Sequence, residues 1–387
     1  MRKIAVFTGT RAEYHLLRPL LTLIQKSEHL QLQLIVSAMH LSPEYGYTLN
    51  RITEDGFIPA ANIETLLSSD TAVGTLKSMG LGLLGYADAL ERLKPDLLLL
   101  AGDRTETLAA AQCGLILQIP IFHLHGGEIT QGAYDDQIRH AITKMSTYHA
   151  TSCRSHQQRV IQLGEEPSRV FNVGAIGLDN IRHQPRLARD AVLSFLNFTA
   201  DAHYLLLTYH PVTAANEPPR ASFLAIRQAL QYFPQFQIVI SYPNSDHGGK
   251  AVIAEIELWQ QQEPLRVRTF KSLDQYYLDV VNQAAAVVGN SSSGIIEVPS
   301  LAVPVVNLGQ RQAGRACSAH ICHSPVQVDD IRHALSTALA TKEILSSADN
   351  PYDRGNTGQA ILRLLTEVPL SCHKKFFDLT ASNIADE

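Results

Sequence analysis

The stretch DLLLLAGDRTETLAAAQCGLILQIPIFHLHGG, residues 96–127, decides the fold. It begins with a continuous apolar run, DLLLLAG (96–102), which is typical of a central parallel strand covered on both faces. A helical segment at 108–117 follows, and IPIFHLHGG (119–127) is the next predicted strand. A strand, a helix and a second strand in this order predict a βαβ unit of a parallel sheet.

The same alternation continues around this stretch and then restarts. The other predicted strands are KIAVFTG (3–9), LQLQLIV (30–36), HYLLLTYHP (203–211), FQIVISYPN (236–244), AAAVVGN (284–290) and VPVVNLG (303–309). A polar, aperiodic interval at 179–202 separates the two runs. The pattern predicts an α/β protein of two Rossmann-like domains, 1–178 and 179–364, with the ligand in the cleft between them at the carboxyl ends of the strands. The tail, 365–387, either packs back on the first domain or frays.

The composition limits the class of protein. With 387 residues, a net charge of −5 and 45% hydrophobic residues, the chain is apolar enough for large buried cores and lacks the basic excess of nucleic-acid-binding proteins. Its five cysteines are scattered, which favours a reducing compartment. No apolar run reaches the ~20 residues of a membrane span, and the N-terminus does not have the pattern of a signal peptide. We therefore expect a soluble cytoplasmic protein without a nucleic-acid or membrane partner.

Polar residues cluster directly after the predicted strands. The clusters lie at 8–11, 102–104, 125–128, 210, 244–246 and 290–293. Each cluster alone is also typical of a helix N-cap or a turn. All of them together indicate a binding site, because the carboxyl ends of the strands in such sheets form the ligand site.

The segment GNSSSGIIE (289–297) predicts an anion site. Ser291, Ser292 and Ser293 present hydroxyl and backbone N–H groups at the start of a helix, which suits a phosphate or a diphosphate. Glu297, about one turn later, could accept hydrogen bonds from two ribose hydroxyl groups. The alternative is a plain helix cap. The chain has neither G-x-G-x-x-G after its first strand nor a P-loop motif, which argues against a nicotinamide enzyme and a P-loop ATPase.

Two further groups of residues are candidates for chemistry. In DDQIRHAITK (135–144), the side chains of Asp136, Arg139 and His140 recur at helical spacing, so a carboxylate could be tuned by its neighbours; the alternative is ordinary acidic residues in a first helical turn. The set Cys317, His320, Cys322 and His323 is too crowded for the usual paired spacing of a zinc site, and we expect no metal there. His123 is expected to be a hydrogen-bonded core histidine.

Eight motifs in register resemble one known family. They are GTRAEY (9–14), MHLSPEYG (39–46), GDRTE (102–106), HLHGGE (123–128), DDQIRHAITKMS (135–146), YHPVT (209–213), GNSSSGIIEVPSL (289–301) and NLGQRQAGR (307–315). Together they resemble the hydrolysing UDP-N-acetylglucosamine 2-epimerases, the bacterial NeuC-type enzymes of sialic acid synthesis, and the epimerase half of the bifunctional animal enzyme. The resemblance implies the GT-B architecture, with no cofactor, and a homodimer or homotetramer.

The resemblance also implies a reaction and its residues. UDP would leave by elimination to a 2-acetamidoglucal, and water would then add at C1 with reprotonation at C2, giving N-acetylmannosamine. The implied UDP-contacting residues are Arg11, Arg104, His210, Asn244, Ser272, Ser291, Ser292, Glu297 and Arg311. The implied proton carriers are Asp103, Asp135 and either His125 or Glu128, because relatives often have a carboxylate at the position of His125. A protonated His210 could donate to the departing diphosphate, and Asp136, Arg139 and His140 would support the site.

Alternatives to this function remain open at this point. A related subgroup acts on UDP-N,N′-diacetylbacillosamine in legionaminic acid synthesis. Two segments, LLSSDTAVGTLKSMGLGL (66–83) and MHLSPEYG (39–46), resemble that subgroup at least as well as they resemble the sialic acid enzymes. A UDP-sugar glycosyltransferase would share the fold, since a common nucleotide site does not define the acceptor. A non-catalytic sugar-nucleotide sensor is the third alternative.

We expect the enzyme to work without an added metal ion, because arginines and a helix start can neutralise a diphosphate. Turnover should be unchanged after dialysis against EDTA. Loss of turnover that one divalent ion restores would contradict this prediction.

Overall fold

In the computed structural model, the apolar run at the centre of the opening stretch forms β4 (Leu97–Ala101), and all five residues are buried. The structure describes residues 1–67, 69, 71–130, 134–183, 185–211, 218–243 and 249–379. These residues fall into two compact units, 1–128 with 134–180 and 354–379, and 129–130 with 181–353. No helix in the described ranges is long and apolar enough to cross a membrane.

The described part of the first unit contains a parallel sheet of seven strands in the order β3-β2-β1-β4-β5-β6-β7. The strands are β1 (Arg2–Thr8), β2 (Leu30–Ser37), β3 (Ala61–Ile63), β4, β5 (Ile121–Leu124), β6 (Tyr148–Thr151) and β7 (Val170–Asn172). The helices are α1 (Arg11–Gln25), α2 (Leu49–Glu54), α3 (Ala72–Leu93), α4 (Thr105–Ile116), α5 (Asp135–Met145), α6 (Arg154–Gln162) and α7 (Leu178–His183), which continues into the second unit.

The second unit has its own parallel sheet, with six strands among the described residues in the order β10-β9-β8-β11-β12-β13. The strands are β8 (Tyr204–Thr208), β9 (Gln237–Ser241), β10 (Val267–Phe270), β11 (Ala286–Gly289), β12 (Val305–Leu308) and β13 (Cys322–Ser324). The helices are α8 (Arg189–Phe195), α9 (Pro219–Leu230), α10 (Gly249–Gln262), α11 (Tyr277–Gln283), α12 (Ser293–Ile296) and α13 (Val328–Ala340). The predicted α/β class with two parallel sheets is confirmed.

The last helix, α14 (Thr357–Glu367), differs from the expectation. The sequence analysis assigned residues up to 364 to the second domain, but the structure places this helix in the first unit. Its apolar residues Ile361, Leu364 and Leu365 join the core that also contains Leu17 and Leu21 of α1. An amphipathic helix carries no local signal of which distant core it will cover.

The described part of the tail also lies on the first unit. Tyr148 Oη donates to the Pro369 carbonyl at 2.6 Å, and Lys374 Nζ donates to Glu165 Oε2 at 2.8 Å. Glu165 is buried, which by itself would raise its pKa, but hydrogen bonds from His149 and two lysines lower it to about 2. The tail is therefore held by a buried carboxylate.

A second buried carboxylate fixes the start of α14. Asp179 Oδ1 accepts from Thr357 N at 3.0 Å, and Asp179 Oδ2 accepts from Gly358 N at 2.6 Å. These bonds satisfy two N–H groups that the first turn of a helix leaves without partners.

Asp179→Ala should lower the free energy of unfolding by about 2–3 kcal/mol, because it leaves buried N–H groups without their charged acceptor. Urea unfolding followed by circular dichroism measures the change. Asp190→Ala, which removes an exposed aspartate from the first turn of α8, is the control. Equal unfolding midpoints for the two variants would contradict the assigned role of Asp179.

Candidate active site

Three neighbouring strands of the first unit deliver polar residues to one edge of its sheet. β1, β4 and β5 are adjacent and parallel, so their carboxyl ends lie at the same edge. Arg11 follows β1, Asp103 follows β4 and His125 follows β5. The positional prediction from strand ends therefore brings these three residues to one edge of the sheet.

Arg139 of α5 connects two of the candidate proton carriers. Its side chain is only 4% exposed and forms an ion pair with Asp103 through Nη2 and Oδ2. Its Nη1 donates to the Glu128 carbonyl at 2.9 Å. One buried guanidinium thus fixes the position of the Asp103 carboxylate relative to the loop after β5.

His125 and Glu128, the two alternatives for one proton carrier, are in direct contact. His125 Nδ1 lies 2.8 Å from Glu128 Oε1, and the histidine side chain is the more exposed of the two, at 16% against 6%. Ser152 Oγ donates to the same Glu128 oxygen at 2.9 Å and also lies 2.9 Å from His156 Nδ1. Ser152 and His156 were not predicted from the sequence, because no local motif marks residues that reach this place only through the fold.

The start of α5 carries the remaining acidic candidates. Asp135 and Asp136 lie in its first turn, as predicted. His140 Nε2 lies 3.6 Å from Asp136 Oδ2, and burial lowers the pKa of this histidine. Arg139 is 3.9 Å from Asp136, so its main acidic partner is Asp103 and not its neighbour on the helix.

Two further histidines of the first unit are structural. His123 is fully buried and its Nε2 lies 2.9 Å from the Gly102 carbonyl, while burial lowers its pKa to about 3. This matches the expected core histidine. His40, which the sequence analysis did not consider, lies between Thr8 Oγ1 at 3.0 Å and Thr48 Oγ1 at 2.7 Å, and supports the loop after β1.

In the second unit, a reciprocal pair of hydrogen bonds joins the loops after β8 and β11. His210 N donates to Asn290 Oδ1 at 2.7 Å, and Asn290 Nδ2 donates to the His210 carbonyl at 2.8 Å. The preceding Gly289 has φ +147°, and a β-carbon there would overlap the Thr208 carbonyl oxygen. The close approach of the two strands therefore requires glycine.

His210 itself is 6% exposed, and burial, together with the charge of Arg311, lowers its pKa to about 3. The imidazole is therefore neutral in the ligand-free protein, and a protonated His210 that donates to the departing diphosphate stays a prediction. A neutral imidazole still carries one N–H donor. Arg311 Nη1 and Gln312 Nε2 both donate to the Asn290 carbonyl, at 3.2 and 2.9 Å, so the loop after β12 is tied to the same place.

The serine segment after β11 begins a helix of one turn, as predicted. α12 contains four residues, begins after Ser292 and is followed by Glu297. Tyr277 Oη is hydrogen-bonded to Ser293 Oγ, and burial together with the nearby Glu297 raises the pKa of this tyrosine. Ser272 follows β10 at the edge of the same sheet. Asn244 lies outside the described residues.

Across the described ranges, no group of three His, Cys, Asp or Glu side chains is arranged to hold a metal ion. Within the crowded set around β13, Cys317 Sγ lies 3.6 Å from His323 Nε2, whereas His320 pairs with Asp349 at 3.2 Å. Cys317 and His323 thus contact each other, whereas His320 pairs with a residue outside the set.

Comparisons with known proteins identify the family of this chain. A family model described as UDP-N-acetylglucosamine 2-epimerase matches residues 22–366. The chain is 37% identical over 371 residues to the UDP-N,N′-diacetylbacillosamine 2-epimerase (hydrolyzing) of Legionella pneumophila, covering 96% of this chain and 97% of that protein. It is also 37% identical over 343 residues to the GDP/UDP-N,N′-diacetylbacillosamine 2-epimerase (hydrolyzing) of Campylobacter jejuni, covering 88% of each.

The fold has a solved counterpart. The crystal structure of UDP-GlcNAc 2-epimerase from Neisseria meningitidis bound to UDP-GlcNAc matches with a TM-score of 0.77 at 17% identity, covering 95% of this chain and 100% of that one. At this identity the match supports the fold. The family model and the sequence relatives lead to one conclusion: the chain belongs to the UDP-N-acetylglucosamine 2-epimerase family.

Proposed function

We propose that this protein is a hydrolysing UDP-sugar 2-epimerase that converts a UDP-2-acetamido sugar and water to UDP and the free C2-epimeric sugar. The single observation that carries the proposal is the buried Arg139, which holds Asp103 and the His125–Glu128 loop together. Inversion at C2 needs one group that removes a proton and another that returns one to the opposite face. The first unit provides several candidate carriers at one sheet edge.

The leaving group has to depart early in this reaction. The C2 proton lies beside an acetamide nitrogen and is very weakly acidic, so a base alone does not remove it. Breaking the C1–O bond to UDP gives C1 oxocarbenium character, which acidifies the C2 proton. Positive groups on the diphosphate favour this step. We assign this role to Arg11, Arg104 and Arg311, with N–H and hydroxyl groups of Ser291 and Ser292.

The proton carriers follow from charge and exposure. Asp103 faces the Arg139 guanidinium, which favours its ionised form and suits a base. Asp135, at the start of α5, is the second candidate. In the elimination, a carboxylate takes the C2 proton as UDP leaves. In the second step, water adds its oxygen to C1 and loses a proton, and an acid returns a proton to C2.

The His125–Glu128 pair is the third proton carrier in this proposal. His125 is the more exposed partner and Glu128 the buried one, so we assign substrate contact to the imidazole and orientation of the ring to Glu128. The second hydrogen bond to Glu128, from Ser152, keeps the carboxylate in place. In this proposal His125 and Glu128 therefore act together, and neither is chosen as the proton carrier without the other.

Two substrates fit the proposal. UDP-N-acetylglucosamine, which would give N-acetylmannosamine for a sialic acid-type pathway, follows from the motifs. UDP-N,N′-diacetylbacillosamine, of legionaminic acid synthesis, is favoured by the two relatives that are 37% identical. We also propose a homo-oligomeric, cytoplasmic enzyme.

Release of UDP without any acceptor sugar tests the proposal. The purified protein is incubated with each UDP-sugar in turn, and kcat/KM is measured from UDP formation. We expect release from at least one of them and a clear preference between the two. A glycosyltransferase would release UDP appreciably only with an acceptor, and a sensor would release none.

Asp103→Asn and Asp135→Asn should each lower kcat by about 10²–10⁴, the usual cost of losing a general acid or base. UDP affinity should change little, because neither carboxylate is assigned to the nucleotide. Asp88→Asn, an exposed substitution on α3, serves as the matched control. Near wild-type turnover in either variant would refute its role, and an equal loss of UDP binding would indicate a structural role instead.

His210→Ala should lower kcat by about 10²-fold and raise KM less, because a donor to the departing diphosphate acts mainly in the transition state. The fold should persist, since Asn290 bonds the backbone of His210 and not its ring. His210→Gln, which keeps a donor, should recover part of the loss. A variant with a lowered melting temperature and full activity would show that the residue only packs.

A further inference from the structure

Glu13 is an acidic residue that the proposed chemistry does not use. It lies in the first turn of α1, and Thr10-x-x-Glu13 has the spacing of a capping box. Thr10 Oγ1 accepts from Glu13 N at 3.3 Å, and Glu13 Oε2 accepts from Gly9 N at 2.7 Å. The side chain therefore reaches back under the loop of Gly9, Thr10 and Arg11 and holds it.

Unlike most capping glutamates, Glu13 is buried. It is 8% exposed, and its Oε1 has no hydrogen-bond partner among the described residues. A second carboxylate packs against the same loop, since a β-carbon added at Gly9 would lie 2.7 Å from Glu106 Cγ. A buried carboxyl group with one unsatisfied oxygen beside another carboxylate is unfavourable in its charged form.

The charged surroundings agree with this geometry. Burial raises the pKa of Glu13 to about 8. Glu106 adds to the shift, whereas the backbone N–H groups of Gly9 and Thr10 and the charge of Arg104 oppose it. From α3, Tyr86 faces the same two carboxylates, and burial raises its pKa to about 12, so it stays neutral where Glu13 titrates.

We propose that Glu13 is a positioning residue that works as a neutral carboxylic acid under the Gly9–Arg11 loop, and that its ionisation weakens binding of the UDP diphosphate to this loop. The inference rests on the proposed function, since it takes the loop as a diphosphate contact. In this proposal the protonated, neutral form of Glu13 is the form that supports UDP binding.

The physical reason is electrostatic. The start of α1 carries partial positive charge from its N–H groups, and Arg11 and Arg104 add positive charge. Glu106, 3.6 Å from Arg104, offsets part of this charge. A neutral Glu13 holds Gly9 N–H without reducing this potential. An ionised Glu13 would place a negative charge behind the loop and oppose the diphosphate. By linkage, UDP binding should then favour the protonated form.

The experiment is calorimetric titration of the full-length protein with UDP from pH 7 to pH 9. If the ionised form does not bind, Kd should rise by about tenfold across this range, and binding near pH 8.5 should take up a proton, which buffers of different ionisation enthalpy reveal. Glu13→Gln keeps an acceptor for Gly9 N–H but cannot ionise, so its Kd should stay near the pH 7 value and its proton uptake should disappear.

Two further variants sharpen this test. Glu106→Gln removes the neighbouring charge and should shift the rise in Kd to lower pH. Glu28→Gln removes an exposed carboxylate of the same unit and should behave as the wild type. If the wild type binds UDP with a Kd independent of pH, if Glu13→Gln keeps the pH dependence, or if it loses binding at every pH, the inference is overturned. Failure of the wild type to bind UDP at all would contradict the proposed function instead.

Thermal unfolding provides a readout independent of UDP. In the unfolded chain Glu13 ionises near pH 4.5, whereas in the folded protein it stays protonated to about pH 8. The free energy of unfolding therefore falls as the pH rises between these two values. The melting temperature of Glu13→Gln should therefore exceed that of the wild type by an amount that grows from pH 5 to pH 8 and then levels off. A difference that does not change with pH would overturn the inference.

Discussion

The ion pair and hydrogen bond of the buried Arg139 guanidinium are the interactions on which the proposed chemistry of the first unit depends. It pairs with Asp103 after β4 and donates to the backbone of Glu128 after β5, so it joins two strand ends through a helix that follows them. A buried arginine without these partners would be strongly unfavourable. The pairing therefore fixes α5 against these strand ends. The His125–Glu128–Ser152 hydrogen bonds extend this arrangement from the same loop.

The second unit uses neutral groups for a comparable purpose. Asn290 closes the loops after β8 and β11 with two backbone hydrogen bonds, and Gly289 permits the close approach. The backbone of His210 is thereby fixed, and its ring is buried. Its low pKa leaves it uncharged before a ligand arrives. The negative charge of a bound diphosphate would raise this pKa. His210 would therefore become protonated only when the substrate is bound.

Local patterns in the sequence were sufficient to predict several strands and the residues that follow them. Apolar runs such as DLLLLAG and HYLLLTYHP predicted β4 and β8, and the polar residues after them predicted where Asp103 and His210 lie. The short strand β6 was not predicted, because His149 and Thr151 interrupt its hydrophobicity although both are buried. The place of α14, the Ser152 and His156 contacts and the burial of Glu13 depend on distant parts of the chain, which no local periodicity encodes.

The central claim is that the C2–H bond breaks during turnover, and solvent deuterium tests it most directly. Each candidate UDP-sugar is incubated with the enzyme in D₂O, and the released sugar is followed by NMR. The account predicts free sugar of inverted C2 configuration carrying one deuterium at C2, together with UDP. Release of a sugar that keeps its C2 proton and configuration would contradict the account.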